Sequence, residues 1–75
     1  MDNTIILPNK HIVDLLDCRP EYGLFLCRDD VTYDDVIYVV YQTEGSSYNI
    51  FRTLYDAKDF FIGCIVGYRL TTEEK

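Results

Sequence analysis

The sequence predicts an α+β fold, a small antiparallel sheet of three to four strands with a short N-terminal helix and a capped C-terminal helix packed on one face. The strongest signal is residues 36–42, VIYVVYQ, a run of β-branched and aromatic residues typical of a strand. A Glu-Gly-Ser-Ser turn and an alternating run at residues 48–52 complete a hairpin. With 75 residues and no linker or repeat, the chain is predicted to form a single domain over residues 1–75, with 71–75 as a mobile polar tail.

The N-terminal third is predicted to contain the first helix. Ile12, Leu15 and Leu16, spaced three and four positions apart, place apolar side chains on one helical face over residues 10–17. Asn9 is a suitable N-cap for this helix, and a Pro-Glu-Tyr-Gly turn ends it. Residues 24–27, bounded by turn residues, then predict a strand.

Residues 36–42 are apolar on both faces of the predicted strand. Side chains alternate across a strand, and both resulting sets are apolar: Ile37, Val39 and Tyr41 on one face, Val36, Tyr38 and Val40 on the other. This pattern predicts a central strand with a helix on one side and a further layer on the other. A binding partner is one candidate for that further layer.

The C-terminal helix begins at a capping signal. Thr53, followed three residues later by Asp56, resembles a capping box with Asp in place of Glu. The residues predicted to face the sheet follow helical spacing: Leu54, Ala57, Phe61, Cys64 and Ile65. Gly63 either ends the helix, leaving a final strand over residues 64–70, or lies within it at a cost of about 1 kcal/mol. We favour the first alternative because Ile65 and Val66 prefer strands.

The charge of the chain limits its partners. Thirteen acidic and seven basic residues give a net charge of −6 and a pI near 4.4. Phosphate repels such a surface, so we expect no direct binding of nucleic acid and a protein partner with a basic surface. The simpler alternative is that the charge keeps a small domain soluble. The absence of a signal peptide or long apolar run predicts an intracellular, cytoplasmic protein without membrane contact.

The residues suited to catalysis or metal binding form no recognisable site. His11, Cys18, Cys27 and Cys64 lack the close spacing of a zinc knuckle, and we expect the cysteines to be buried small hydrophobes. In the predicted helix His11 and Cys18 would lie about 10 Å apart along the axis, too far for a nucleophile and its base. We therefore expect no cofactor, no metal and no catalytic residue. A metal-dependent or thiol-dependent enzyme remains the least favoured alternative.

An acidic run precedes the central strand, with four carboxylates in seven residues and no base: Asp29, Asp30, Asp34 and Asp35. The run lacks the order of residues that a calcium-binding loop requires. It is either a solvated loop whose charges protect a strand edge, or a patch that docks on a basic groove.

The composition is also rich in tyrosine, with seven tyrosines and no tryptophan. Tyrosine serves at interfaces and in sheet cores alike. The predicted partner-binding set combines both features: Asp29, Asp30, Tyr33, Asp34, Asp35, Tyr38, Tyr41 and Glu44.

No specific family is identified, but the chain shares general features with a broad class of small proteins. A short acidic α+β chain with a hairpin, a Thr cap and an Ala-Lys-x-Phe helix over residues 48–61 resembles many small proteins encoded by bacteriophages and mobile elements. Some of these, including some anti-CRISPR proteins and uracil-DNA glycosylase inhibitors, present carboxylates where phosphates would bind. The resemblance implies that Asp29, Asp30, Asp34, Asp35 and Glu44 are phosphate mimics that act in a host cytoplasm.

The leading hypothesis is thus a non-enzymatic acidic inhibitor or modulator that occludes a basic or nucleic-acid-binding surface of a host protein. The alternative is a structural or assembly component that forms a homodimer or subunit contact through an open sheet face.

Overall fold

The computed structural model describes residues 3–30 and 35–73 and confirms the α+β class. Its antiparallel sheet has five strands in the order β1-β2-β3-β4-β5, followed by one C-terminal helix. The elements are β1 (Thr4–Ile6), β2 (Ile12–Arg19), β3 (Leu24–Asp29), β4 (Ile37–Gln42), β5 (Ser47–Phe51) and α1 (Leu54–Glu73). The expected three to four strands undercount the sheet, because both β1 and β2 are missing from the prediction and the optional fourth strand, residues 64–70, lies within α1.

The predicted N-terminal helix over residues 10–17 is wrong, because this segment forms β2. The spacing of its apolar residues fits a helix, but it also fits a strand in which Val13 and Leu15 face the core. A β-bulge between Leu15 and Asp17 interrupts the strict alternation of β2 at Leu16. For this reason the apolar residues of the strand show a spacing that resembles that of a helix. Asn9 is not a helix cap; its side chain accepts a hydrogen bond from the backbone N–H of His11 at 3.1 Å in the β1–β2 turn.

The hairpin of β4 and β5 forms as predicted. β4 lies between β3 and β5, and its two faces separate as expected, with Val39 and Tyr41 in one buried cluster and Val40 in the other. β5 begins and ends one residue earlier than the predicted run of residues 48–52. Register is continuous along the whole pair, from Tyr38 opposite Phe51 to Gln42 opposite Ser47.

Two apolar clusters lie on opposite faces of the sheet. The first, which we call the sheet cluster, contains Leu7, Val13, Cys27, Val39 and Tyr41 as its buried members. The second, the helix cluster, joins the sheet to α1 through Leu24, Leu26, Val40, Ala57 and Phe61. The described residues place no α-helix over the sheet cluster, although its five members are buried within the single chain. The further layer predicted for this face of β4 stays a prediction.

α1 begins at the predicted cap and continues past the predicted end. The Thr53 hydroxyl accepts a hydrogen bond from the backbone N–H of Asp56 at 3.2 Å. The favoured strand over residues 64–70 is wrong, because α1 reaches Glu73. Residues 71–73 of the predicted polar tail belong to this helix, and residues 74–75 lie outside the described residues. Cys64, Ile65 and Tyr68 pack against the helix cluster. This burial outweighs the roughly 1 kcal/mol that each interior glycine costs a helix. No helix within the described residues is long and apolar enough to span a membrane.

The sheet has two distinguishable ends. At one end, which we call the turn end, the β2–β3 and β4–β5 turns meet, and the Thr43 backbone N–H donates to the Gly23 carbonyl at 2.9 Å. Gly23 has a φ of 65°, and a Cβ there would collide with Thr43 Oγ1. The opposite end holds the connection between β3 and β4 and the start of α1.

Candidate functional site

The acidic run is divided by the structure into a buried and an exposed part. Asp29 ends β3, and its side chain is 0% exposed. Because Phe25, Cys27 and Asp29 alternate along β3 on one face, the carboxylate of Asp29 points into the sheet cluster side. Its Oδ2 atom lies 3.7 Å from Nδ1 of His11. Asp29 therefore contributes to the interior rather than to a docking surface.

Asp30 is exposed and forms part of a charged group that crosses two strands. The Arg28 guanidinium donates to Asp30 Oδ2 at 3.0 Å and to Asp14 Oδ2 at 3.5 Å. Arg28 and Asp14 are direct cross-strand partners of β3 and β2. Asp35 is also exposed and lies where the chain returns into β4. We call Asp14, Asp30 and Asp35 the acidic end of the molecule.

The acidic end keeps a negative charge although it contains an arginine. Its three carboxylates and the Arg28 guanidinium leave a local charge of −2. The side chains of Arg28, Asp14 and Asp30 are 36%, 47% and 40% exposed, so water screens these ion pairs and they add little stability. Arg28 instead fixes the positions of two carboxylates that remain accessible to a partner.

The predicted tyrosine anchors lie in different environments. Tyr33, together with Asp34, lies outside the described residues. Tyr38 is partly buried against the helix cluster, directly across from Arg28, so it borders the acidic end. Tyr41 is 7% exposed, between Phe25 and Tyr48, with ring centroids 6.1 and 4.9 Å away. Tyr41 thus fills the core and has little surface to offer a partner.

Glu44 is exposed but lies at the turn end, which is the end of the sheet opposite to Asp30 and Asp35. Its carboxylate accepts a hydrogen bond from the Tyr68 hydroxyl at 3.5 Å. Desolvation, and after it the charge of Glu44, raises the pKa of Tyr68 above its ordinary value. The structure therefore does not bring Glu44 together with the acidic end.

Of the three cysteines, Cys27 is not an activated nucleophile. All three are free; Cys27 is buried, whereas Cys18 and Cys64 are partly exposed, so the expected burial holds in full for Cys27 alone. Burial, and after it the nearby charges of Asp29 and Cys18, raises the pKa of Cys27 to about 12. Its thiol is consequently protonated at neutral pH. Within residues 3–30 and 35–73, no group of three or more His, Cys, Asp and Glu side chains could hold a metal ion.

Sequence reasoning missed the roles of His11, Asp14 and Arg28. All three depend on β2 and its turn being extended rather than helical, because only the β2–β3 pairing places Asp14 opposite Arg28. A signal for the burial of Asp29 was present, since strand alternation from Phe25 through Cys27 leads to Asp29 on the same face. It required extending the predicted strand from Cys27 to Asp29.

Comparison of this chain with protein-family models, with curated proteins and with solved structures found no match.

Proposed function

We propose that this protein is a non-enzymatic acidic binding protein of the phage or mobile-element type, an inhibitor or modulator that occludes a basic or nucleic-acid-binding surface of a host protein. The observation that supports it is the acidic end, where Arg28 contacts the partly exposed Asp14 and the exposed Asp30, and Asp35 is exposed just before the adjacent strand β4. Asp14 takes the place of the buried Asp29 in this set, and Asp34 lies outside the described residues.

The proposed mechanism is competition with phosphate for basic side chains. Lysine and arginine bind carboxylates and phosphates with the same donors, so an acidic end can fill a groove that evolved for nucleic acid. The net charge of −6 steers the protein toward such a groove over several ångströms. Tyr38, beside Arg28, supplies a partly apolar contact next to the charges.

The alternative is an assembly component that forms a homodimer or subunit contact through an open sheet face. On β4, Val39, Val40 and Tyr41 are buried by the chain itself, and Tyr38 is partly exposed, so Tyr38 is the residue through which this alternative would act.

The experiment compares charge reversal at the two ends of the molecule. Asp30→Lys with Asp35→Lys alters the acidic end, and Glu21→Lys with Glu44→Lys makes the same change of charge at the turn end. Both variants alter exposed residues. Tagged proteins capture partners from host lysate at about 0.1 M and about 1 M salt, where the Debye length falls from about 10 Å to about 3 Å.

We expect the acidic-end variant to lose at least about tenfold in capture, because two contacts with basic side chains are reversed. The turn-end variant should bind like the wild type, and duplex DNA should displace the captured partner. Circular dichroism and thermal unfolding verify that each variant is folded. Equal capture by both variants, or a captured partner that DNA cannot displace, would contradict the proposal.

A further inference from the structure

The two edges of the sheet differ in their protection against pairing with another chain. β1, at one edge, is three residues long and is followed by Pro8 after Leu7. β5, at the other edge, is five residues long, has no bulge in its register with β4, and contains no proline and no charged side chain. Short strands, charges, prolines and bulges are the usual means of blocking an edge. β5 lacks all four, and no described strand pairs with its outer side.

α1 leaves the space beside β5 open. Phe60 marks the row of α1 nearest to β5, because its ring lies 5.4 Å from that of Phe51. Gly63 and Gly67, three and seven residues later, continue this row along the helix. A Cβ atom at either glycine would meet no other atom within 4 Å. At Gly63 and Gly67 the helix therefore carries no side chain that would obstruct a strand approaching β5.

We propose that β5 is a homodimer interface, in which it pairs antiparallel with β5 of a second copy to form a continuous sheet. The strand is self-complementary when Asn49 lies opposite Asn49 of the second copy. Tyr48 then lies opposite Ile50 of the other copy, and the symmetry makes this aromatic and β-branched pair twice. Ile50 is 55% exposed in the single chain and becomes covered.

The charge of this edge permits a second copy as the occupant that its self-complementary register selects. Two copies of a chain with a net charge of −6 repel each other, but residues 45–55 contain one arginine and no acid. The repulsion is therefore weaker at this edge than at the acidic end. In the proposed register Arg52 of one copy lies opposite Ser46 in the β4–β5 turn of the other.

The test compares the same substitution at two exposed isoleucines. Ile50→Lys places a charge on the β5 edge, and Ile62→Lys, at a residue that is 57% exposed on α1, is the matched control. The mass of the full chain is measured by sedimentation over a range of concentrations. We expect the wild type to rise from 8.8 kDa toward twice that mass. Ile50→Lys should raise the dissociation constant at least about tenfold, and Ile62→Lys should change it little.

Hydrogen exchange locates the contact independently of any substitution. Amides of β5 should become more protected as the concentration rises, whereas those of β1, the other edge, should not. A wild type that stays at 8.8 kDa at all concentrations would overturn the proposal. A dimer that Ile62→Lys disrupts and Ile50→Lys does not would assign the interface to α1. Protection of β5 only when a different protein is added would assign the edge to a foreign extended peptide.

Discussion

At the scale of single residues, neighbouring aspartates have opposite roles. Asp29 is fully buried beside His11, whereas Asp30 is exposed beside Arg28. A buried polar group that loses its partner costs far more than a surface ion pair contributes. The acidic run of the sequence is therefore not one functional unit, since its first member lies in the interior of the fold.

We expect Asp29→Asn to lower the free energy of unfolding by about 1.5–3 kcal/mol, because an amide replaces the carboxylate in a fully buried site beside His11. Asp30→Asn should change it by less than about 1 kcal/mol. Urea denaturation of the two variants and the wild type measures the difference. Equal effects of the two substitutions would show that Asp29 is not buried in solution.

At the scale of elements, the sequence predicted those parts in which local signals agree. The β4–β5 hairpin has β-branched strands and a glycine-containing turn, and Thr53 caps the helix that follows. β2 could not be assigned in this way, because its bulge interrupts the alternation of a strand. Its apolar residues are therefore spaced three and four positions apart, as they would be in a helix. The continuation of α1 also depends on tertiary packing, since Ile65 and Tyr68 are held against the sheet in spite of two glycines.

The candidate site was predictable only in part for a related reason. The exposed acids Asp30 and Asp35 follow from composition and turn position. The burial of Asp29 and the neighbourhood of Asp14 depend on strand register, which pairs residues distant in sequence. The separation of Glu44 from the other acids likewise follows from its place at the opposite end of β4.

Substitution of Gly63 tests the extent of α1, and substitution of Gly23 tests the close packing at the turn end. Gly63→Ala should stabilise the protein by about 0.5–1 kcal/mol, because alanine favours a helix interior and its methyl group meets no atom within 4 Å. Gly23→Ala should destabilise it, because its φ is 65° and Thr43 occupies the space of the new methyl group. Thermal unfolding measures both. Destabilisation by Gly63→Ala would indicate that Gly63 instead ends the helix in a left-handed conformation.

At the scale of the whole molecule, the proposed dimer and the proposed partner use separate surfaces. The acidic end lies where β3 joins β4, and β5 forms the edge of the sheet. Antiparallel pairing of β5 would direct the two acidic ends in opposite directions. A dimer could then present two separate acidic ends, which would increase its avidity for a target with two basic sites.

Salt should change the two proposed interactions in opposite directions. Screening weakens attraction between the acidic end and a basic partner, but it also weakens repulsion between two copies with a charge of −6. We expect the dimer dissociation constant to fall between about 0.1 M and about 1 M salt while partner capture declines. Sedimentation and capture assays under the same conditions measure both quantities.

The variant Asp30→Lys with Asp35→Lys separates the two effects in one protein. Its net charge rises by 4, from −6 to −2, so the repulsion between copies decreases. It should dimerise more tightly than the wild type at about 0.1 M salt and respond less to added salt, although it has lost partner capture. A dimer that salt weakens, or one that this variant disrupts, would show that the acidic end itself takes part in self-association.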